Sequence, residues 1–207
     1  MKLLISFNIL DLEKALTVAA IIEPHATMFV IGQLLIYKYG EESVKKFRAM
    51  FPEKLLMVKS QILERPAESV ALFSKAGANW ISVLAGAGAE TIHTATTIAR
   101  EKNTKIILDL ADSRSIGQTA LEADRLGAEA LSVYKPSVED SRAPFTDNWH
   151  MIQGNTKLPI FMASPISHEN VSEVLGLNPA GVIIGSAVVN AEDPLKEITY
   201  FSQLLEK

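Results

Sequence analysis

Lys75-Ala-Gly-Ala-Asn-Trp-Ile-Ser-Val83 returns 50 residues later as Arg125-Leu-Gly-Ala-Glu-Ala-Leu-Ser-Val133. Both copies read as the end of a helix, a glycine suited to a left-handed stop, and a short apolar run. Each run has counterparts along the chain at a spacing of about 25 residues. They are Leu3–Asn8, Met28–Gln33, Lys54–Gln61, Trp80–Gly86, Lys105–Leu110, Ala130–Lys135, Leu158–Ser164 and Gly181–Ser186. Most are apolar almost continuously rather than alternating, as strands covered on both faces of a parallel sheet are.

Between the runs lie amphipathic stretches that read as helices: Asp11–Ile22, Glu41–Met50, Pro66–Ala76, Ala89–Lys102, Arg114–Leu126, Asp147–Gly154, Ser167–Leu175 and Asp193–Glu206. Pro66 suits a first helical position, Asp147 and Ser167 suit N-caps, and Gly77 and Gly127 suit C-terminal stops. Strict alternation of strand and helix allows a closed (β/α)8 barrel or a doubly wound open sheet. The even spacing and the internal echo, two βα units apart, favour the barrel. The open sheet lacks its glycine-rich turn after the first strand, where Asn8-Ile-Leu-Asp11 stands. The expectation is an α/β protein, a single (β/α)8 TIM barrel spanning residues 1–207 as one domain.

Composition narrows the function classes. The formal charge is −4, so no basic excess points to nucleic acid or an anionic membrane surface. No apolar run approaches the roughly 20 residues of a membrane span. The chain has no cysteine, which removes disulfides, thiolate metal sites and cysteine nucleophiles. A cytoplasmic location is the default.

In such a barrel the chemistry sits at the C-terminal ends of the strands. Alternation along each strand gives an inward ring of Asn8, Val30, Lys59, Gln61, Leu84, Asp109, Tyr134, Ser164 and Ser186, and a slip of one residue would reverse any strand. Lys59 has two readings: an ion pair with Asp109 or Glu64 across the barrel mouth, or an amine that adds to a carbonyl substrate. The ion pair takes precedence. Asp112 or Ser113 is expected to cap the following helix. Gly86-Ala87-Gly88 reads as a tight turn, and Trp80 and Trp149 as packing residues. His25, His93, His150 and His168 show no metal-ligand spacing. The long connection Pro136–Thr146, with Glu139, Asp140 and Arg142, is a candidate lid, and Lys135 is expected to point outward.

At these strand ends the chain resembles a known group of enzymes. The residues that carry the likeness are Met1-Lys-Leu-Leu-Ile-Ser-Phe-Asn8 with Asp11-Leu-Glu-Lys-Ala-Leu16, then Ile31-Gly32, Lys75-Ala-Gly-Ala78, Val83-Leu84 and Asp109-Leu110. Gly185-Ser-Ala187 and Ala191-Glu-Asp-Pro194 are the most specific. Together they resemble the orotidine 5′-monophosphate decarboxylase group, closest to its 3-hexulose-6-phosphate synthase and 3-keto-L-gulonate-6-phosphate decarboxylase branch.

The resemblance implies a lyase working through an enediolate, a phosphosugar ligand and a homodimer. It also implies an Asp-x-Lys-x-x-Asp motif at the end of the third strand. Here Lys59-Ser-Gln61-Ile-Leu-Glu64 stands in its place. The magnesium ligands of the group fall on Val30 and Lys59, its first-strand Asp on Asn8, and its sixth-strand His on Tyr134, while Asp109 is kept. The catalytic candidates are therefore Lys59, Gln61, Glu64, Asp109 and Tyr134. Asn8, Ser164, Gly185 and Ser186 are the candidates for substrate binding, the last two as part of a phosphate cradle. Ser164-Pro165 replaces the group's Gly-Gly, and proline has no N–H to offer there. No metal site and no cofactor are expected. The expected function is a phosphosugar lyase with altered chemistry; the alternative is a non-catalytic barrel that binds a phosphosugar or a partner.

Overall fold

The computed structural model describes residues 1–134 and 145–205. Its elements, in chain order, are β1 (Lys2–Phe7), α1 (Leu12–Ile22), β2 (Met28–Ile31), α2 (Gln33–Tyr39), α3 (Glu41–Met50) and β3 (Leu55–Ile62). There follow α4 (Pro66–Lys75), β4 (Trp80–Leu84), α5 (Ala89–Glu101), β5 (Lys105–Asp109), α6 (Ile116–Ala123) and β6 (Ala130–Tyr134). The chain closes with α7 (Phe145–Asn155), β7 (Ile160–Ala163), α8 (Val171–Gly176), β8 (Gly181–Ile184), α9 (Ser186–Val189) and α10 (Pro194–Leu205). The strands pair in order from β1 to β8, all parallel, and β8 pairs back with β1. This is a closed (β/α)8 TIM barrel. The connection at residues 136–144, with Glu139, Asp140 and Arg142, and Lys135 lie outside the described residues.

Alternation along the strands separates two cores. One face packs outward on the helices, as Ile5, Phe7, Phe29, Ile31, Val58, Ile81 and Leu108 do. The other fills the barrel interior with Leu4, Met28, Val30, Met57, Trp80, Ile107, Ala130 and Phe161. Trp80 meets Phe161 edge-to-face at 6.3 Å between ring centroids, plugging the interior. Outside, Phe7, Phe29, Phe47 and Phe51 form an aromatic cluster with centroids 5.2–6.2 Å apart that seats α3 on β1 and β2. Trp149 is fully buried, with its Nε1–H donating to the Leu177 carbonyl at 2.9 Å. Both tryptophans are packing residues.

Several local signals act as the sequence leads one to expect. Gly77 and Gly127 take φ of 105° and 86° at the ends of their helical segments. Pro66 opens α4. Asp11 caps α1 by accepting from the Lys14 amide at 2.9 Å.

Other boundaries differ. Asp147 lies inside the first turn of α7, since that helix opens at Phe145. Ser167 does not cap α8, because the chain turns through Asn170 first; the Asn170 side chain accepts from Ser167 N and donates to Pro165 O. Neither Asp112 nor Ser113 caps α6. Asp112 accepts from Gly86 N at 3.0 Å, which ties the β4 loop to the β5 loop, and Ser113 Oγ bonds Thr119 Oγ1 at 2.8 Å. The segment after β2, read as the end of a strand through Gln33, turns into α2 at that residue.

At the opposite end of the barrel Arg48 holds the loops together. Its guanidinium donates to the carbonyls of Phe51, Pro52, Lys54 and Gly77 and to Asn79 Oδ1. Burial pulls the Arg48 pKa down and the nearby Glu53 opposes that pull; five carbonyl-type acceptors keep the cation satisfied.

Candidate functional site

A cavity of about 290 Å³ opens at the C-terminal end of the strands. Its floor is apolar, made by Val30, Met57, Ile107 and Ile183. Above it the inward positions turn polar: Ser6 on β1, Lys59 on β3, Ser82 on β4, Asp109 on β5, and Ser132 and Tyr134 on β6. The change from apolar to polar along each strand marks where the packed interior ends and the ligand space begins.

Asp109 is the buried carboxylate of this wall, 3% exposed. Its Oδ1 accepts from the Ala111 amide at 3.1 Å and its Oδ2 from Gln61 Nε2 at 2.7 Å. Gln61 reaches it because β3 breaks register between Val58 and Ile62. Gln61 itself takes a left-handed φ of 48°, uncommon for a residue with a side chain. The bulge is held by Gln61 N donating to Ser82 Oγ at 2.8 Å and Ser60 Oγ donating to Ser82 O at 3.1 Å. Bulges of this kind re-aim a side chain next to a site. The Gln61 side-chain oxygen in turn accepts from Gln33 Nε2 at the start of α2. Gln33, Gln61 and Asp109 thus form one chain of amides ending on the carboxylate.

Lys59 lines the same cavity, partly exposed. The ion pair expected with Asp109 or Glu64 does not form: among the described residues no carboxylate stands within 4 Å of its ammonium. Asp109 is already committed to Gln61 and Ala111. Glu64 is exposed in the loop between β3 and α4, outside the cavity of its own chain.

Of the candidate residues, the structure brings Asn8, Lys59, Asp109, Tyr134, Ser164, Gly185 and Ser186 to one cavity. Gln61 joins through Asp109 rather than by lining it. Tyr134 stands at the rim, 48% exposed. Asn8 Oδ1 accepts from Leu34 N at 3.0 Å, so its side chain also fastens the end of β1 to α2. Ser164 and Ser186 lie beyond the ends of β7 and β8 and reach the cavity from their loops, not by strand parity. Leu84 shares the inward parity but does not line the cavity.

Ser6, Ser82 and Ser132 escaped the reading from sequence, as did Gln33. The serines sit two residues below the expected ring on strands whose parity was otherwise right, and their small polar side chains at inward positions were the available signal. Gln33 carried no signal, because its place depends on where α2 begins.

Gly185 and the first turn of α9 close the cavity on the side opposite β3 to β5. Val188 N and Val189 N bond back to Gly185 O at 3.0 Å. The Ser186 and Ala187 amides precede the first intrahelical bonds and are free of that ladder by helix geometry. Among the described residues no group of three or more His, Asp or Glu side chains gathers to hold a metal ion. The single carboxylate on the cavity wall has both oxygens engaged by donors, and the positions beside it are Val30, 1% exposed, and the cationic Lys59. That set does not fit a magnesium ion, which takes several hard oxygen ligands.

No family model matches the chain. The 3-hexulose-6-phosphate synthase of Bacillus subtilis (strain 168) is 24% identical over 210 residues, covering 99% of both chains. Among solved structures, 3-hexulose-6-phosphate synthase from Salmonella typhimurium superposes with a TM-score of 0.91 at 24% identity, over 100% of this chain and 99% of the other. KGPDC from Streptococcus mutans in complex with ribose 5-phosphate gives 0.86 at 15% identity, over 99% and 96%. Orotidine 5′-monophosphate decarboxylase from Methanocaldococcus jannaschii, complexed with the inhibitor BMP, gives 0.81 at 18%, over 100% and 99%. Barrel, length and strand-end motifs agree: the chain resembles, end to end, the 3-hexulose-6-phosphate synthase and KGPDC branch of the orotidine 5′-monophosphate decarboxylase group.

Proposed function

We propose that this protein is a phosphosugar lyase that makes or breaks a carbon–carbon bond next to a carbonyl without a divalent cation. The observation that carries the reading is one cavity holding an unpaired lysine and a hydrogen-bonded carboxylate on one side and the Gly185–Ser186 turn on the other. The phosphate of a sugar phosphate fits the Gly185–Ser186 side, where small residues and helix-start amides face the cavity. Ser164 and Asn8 supply further polar contacts. The likeness to a KGPDC solved with a sugar phosphate supports this orientation.

The reacting carbonyl then lies toward β3 and β5. Lys59 supplies positive charge to the oxygen as an enediolate develops, the task a metal ion performs in related chemistry. Asp109, oriented by Gln61, accepts hydrogen bonds from substrate hydroxyls or moves a proton, and Tyr134 serves as the proton carrier at the open rim. Glu64 reaches a site only across an interface, so the reading includes a homodimer. It also includes a cytoplasmic setting and no nucleic-acid or membrane partner. Among the described residues no helix is long and apolar enough to cross a membrane.

The test is formaldehyde fixation onto ribulose 5-phosphate, and its reverse, with Mg²⁺ and with EDTA. Turnover that survives EDTA is the expected result. Turnover that needs Mg²⁺, with micromolar calorimetric binding of the ion, would reject a metal-free site. The second reading is a phosphosugar-binding barrel without catalysis, favoured by one observation: both Asp109 oxygens are held by the protein itself. Calorimetric binding of ribulose 5-phosphate without any product would select it.

A further inference from the structure

We propose that Lys59 acts covalently, forming an imine with the carbonyl carbon of a ketose or aldose phosphate. This rests on the sugar-phosphate reading above and specifies how Lys59 carries its charge.

The argument begins with what Lys59 lacks. Lysines elsewhere in the fold find carboxylates: Lys45 meets Glu41 at 2.7 Å, Lys46 meets Glu13 at 2.9 Å and Lys54 meets Glu23 at 2.7 Å. Lys59 lines a cavity and has no ion-pair or hydrogen-bond partner among the described residues. The carboxylate on the same wall, Asp109, is engaged instead by Gln61 and Ala111. A cation set over an apolar floor of Val30, Met57 and Ile107 without a counter-charge is costly as a structural element. The same arrangement suits an amine nucleophile, since no carboxylate holds the proton on it.

The chemistry balances with groups on the page. The neutral Lys59 amine attacks the carbonyl carbon; the C–N bond forms as the π electron pair moves to oxygen. That oxygen takes a proton and gives a carbinolamine, and its loss as water leaves an iminium. Ser82, Ser132 and Tyr134 line the cavity and offer hydroxyls for these transfers. Ser82 Oγ accepts from Gln61 N, which leaves its own proton to donate. The iminium then accepts the electron pair of the neighbouring C–C bond, or that of a C–H bond whose proton passes to a base. No oxidant, reductant or metal is consumed.

The experiment is reduction with borohydride of the full chain incubated with ribulose 5-phosphate or dihydroxyacetone phosphate, read by intact mass and peptide mapping. The expected result is a reduced secondary-amine adduct on Lys59 and its loss in K59R, which keeps the cation but not the nucleophile. The circular dichroism of K59R checks that the variant is folded. No adduct in the wild type, or an adduct that persists in K59R, would overturn the proposal. Calorimetry on the same samples separates the two readings. Phosphosugar binding without an adduct rejects the imine and keeps the sugar-phosphate site, whereas neither binding nor adduct rejects both.

Discussion

Asp109 accepts two hydrogen bonds in a position only 3% exposed. Replacing it by alanine strands the Gln61 amide and the Ala111 N–H, so D109A is expected to lower stability by about 1–3 kcal/mol. The midpoint and slope of urea unfolding measure this; an unchanged midpoint would mean that cavity water replaces the carboxylate without cost. Lys59 makes the opposite demand. It has no counter-charge, so K59M removes an unpaired ammonium and extends the apolar floor. K59M is expected to gain about 0.5–1 kcal/mol, a rise in melting temperature of about 2–4 °C, while losing turnover and adduct formation. A fall in melting temperature would show that Lys59 is tied into the structure after all. The identity of Lys59, Gln61 and Asp109 as wall residues was legible from strand parity. Who bonds to whom was not, because a pairing of Lys59 with Asp109 satisfies the same residue list as the pairing of Gln61 with Asp109. The register shift at Gln61 decides between them, and no residue type announces it.

At the level of elements, the ends of β1 and β2 meet more closely than side chains permit. A Cβ on Gly32 would stand 2.6 Å from Asn8 Cα and 2.7 Å from Asn8 Cβ. Gly32 is at an ordinary φ of −73°, so the glycine is there for space and not for backbone freedom. G32A therefore pushes β1 from α2, breaks the bond from Leu34 N to Asn8 Oδ1 and shifts Gln33 away from Gln61. The expected cost is about 1–3 kcal/mol of stability, as for other overpacked sites. Phosphosugar affinity falls with it, and calorimetry beside thermal melting measures both; wild-type affinity in a folded G32A would show that the α2 relay does not support the site. This junction was half legible. Ile31-Gly32 stood out in the sequence, but α2 did not, because its seven residues follow the strand with no capping side chain. The short α9 after β8 was hidden for the same reason. Long helices with caps and apolar stripes read well, and short ones that only turn the chain at the barrel mouth do not. Those turns are where the site is built.

On the scale of the whole molecule the period carried nearly everything. Eight parallel strands closing in sequence order are what a regular alternation of buried strands and helices produces. What one barrel leaves open is Glu64, which is exposed beside Leu63 at 49% and does not line the cavity of its own chain. Leu10 at 54%, Leu34 at 37% and Tyr37 at 73% are exposed on neighbouring segments, joined to this region by bonds from Lys38 and Tyr39 to Leu10 O and from Gln33 to Gln61. If a second copy covers this apolar patch, Glu64 is delivered to the partner's cavity and the patch becomes the centre of an interface of ordinary size, about 1,200–2,000 Å² in total. The wild-type chain is then a dimer at micromolar concentration by light scattering. L63E, placing a charge at the centre of the interface, shifts it to a monomer with unchanged circular dichroism and lost turnover. E64Q keeps the dimer and loses turnover alone. A monomeric wild type would separate Glu64 from the chemistry altogether, leaving Lys59, Asp109 and Tyr134 of a single barrel to carry it.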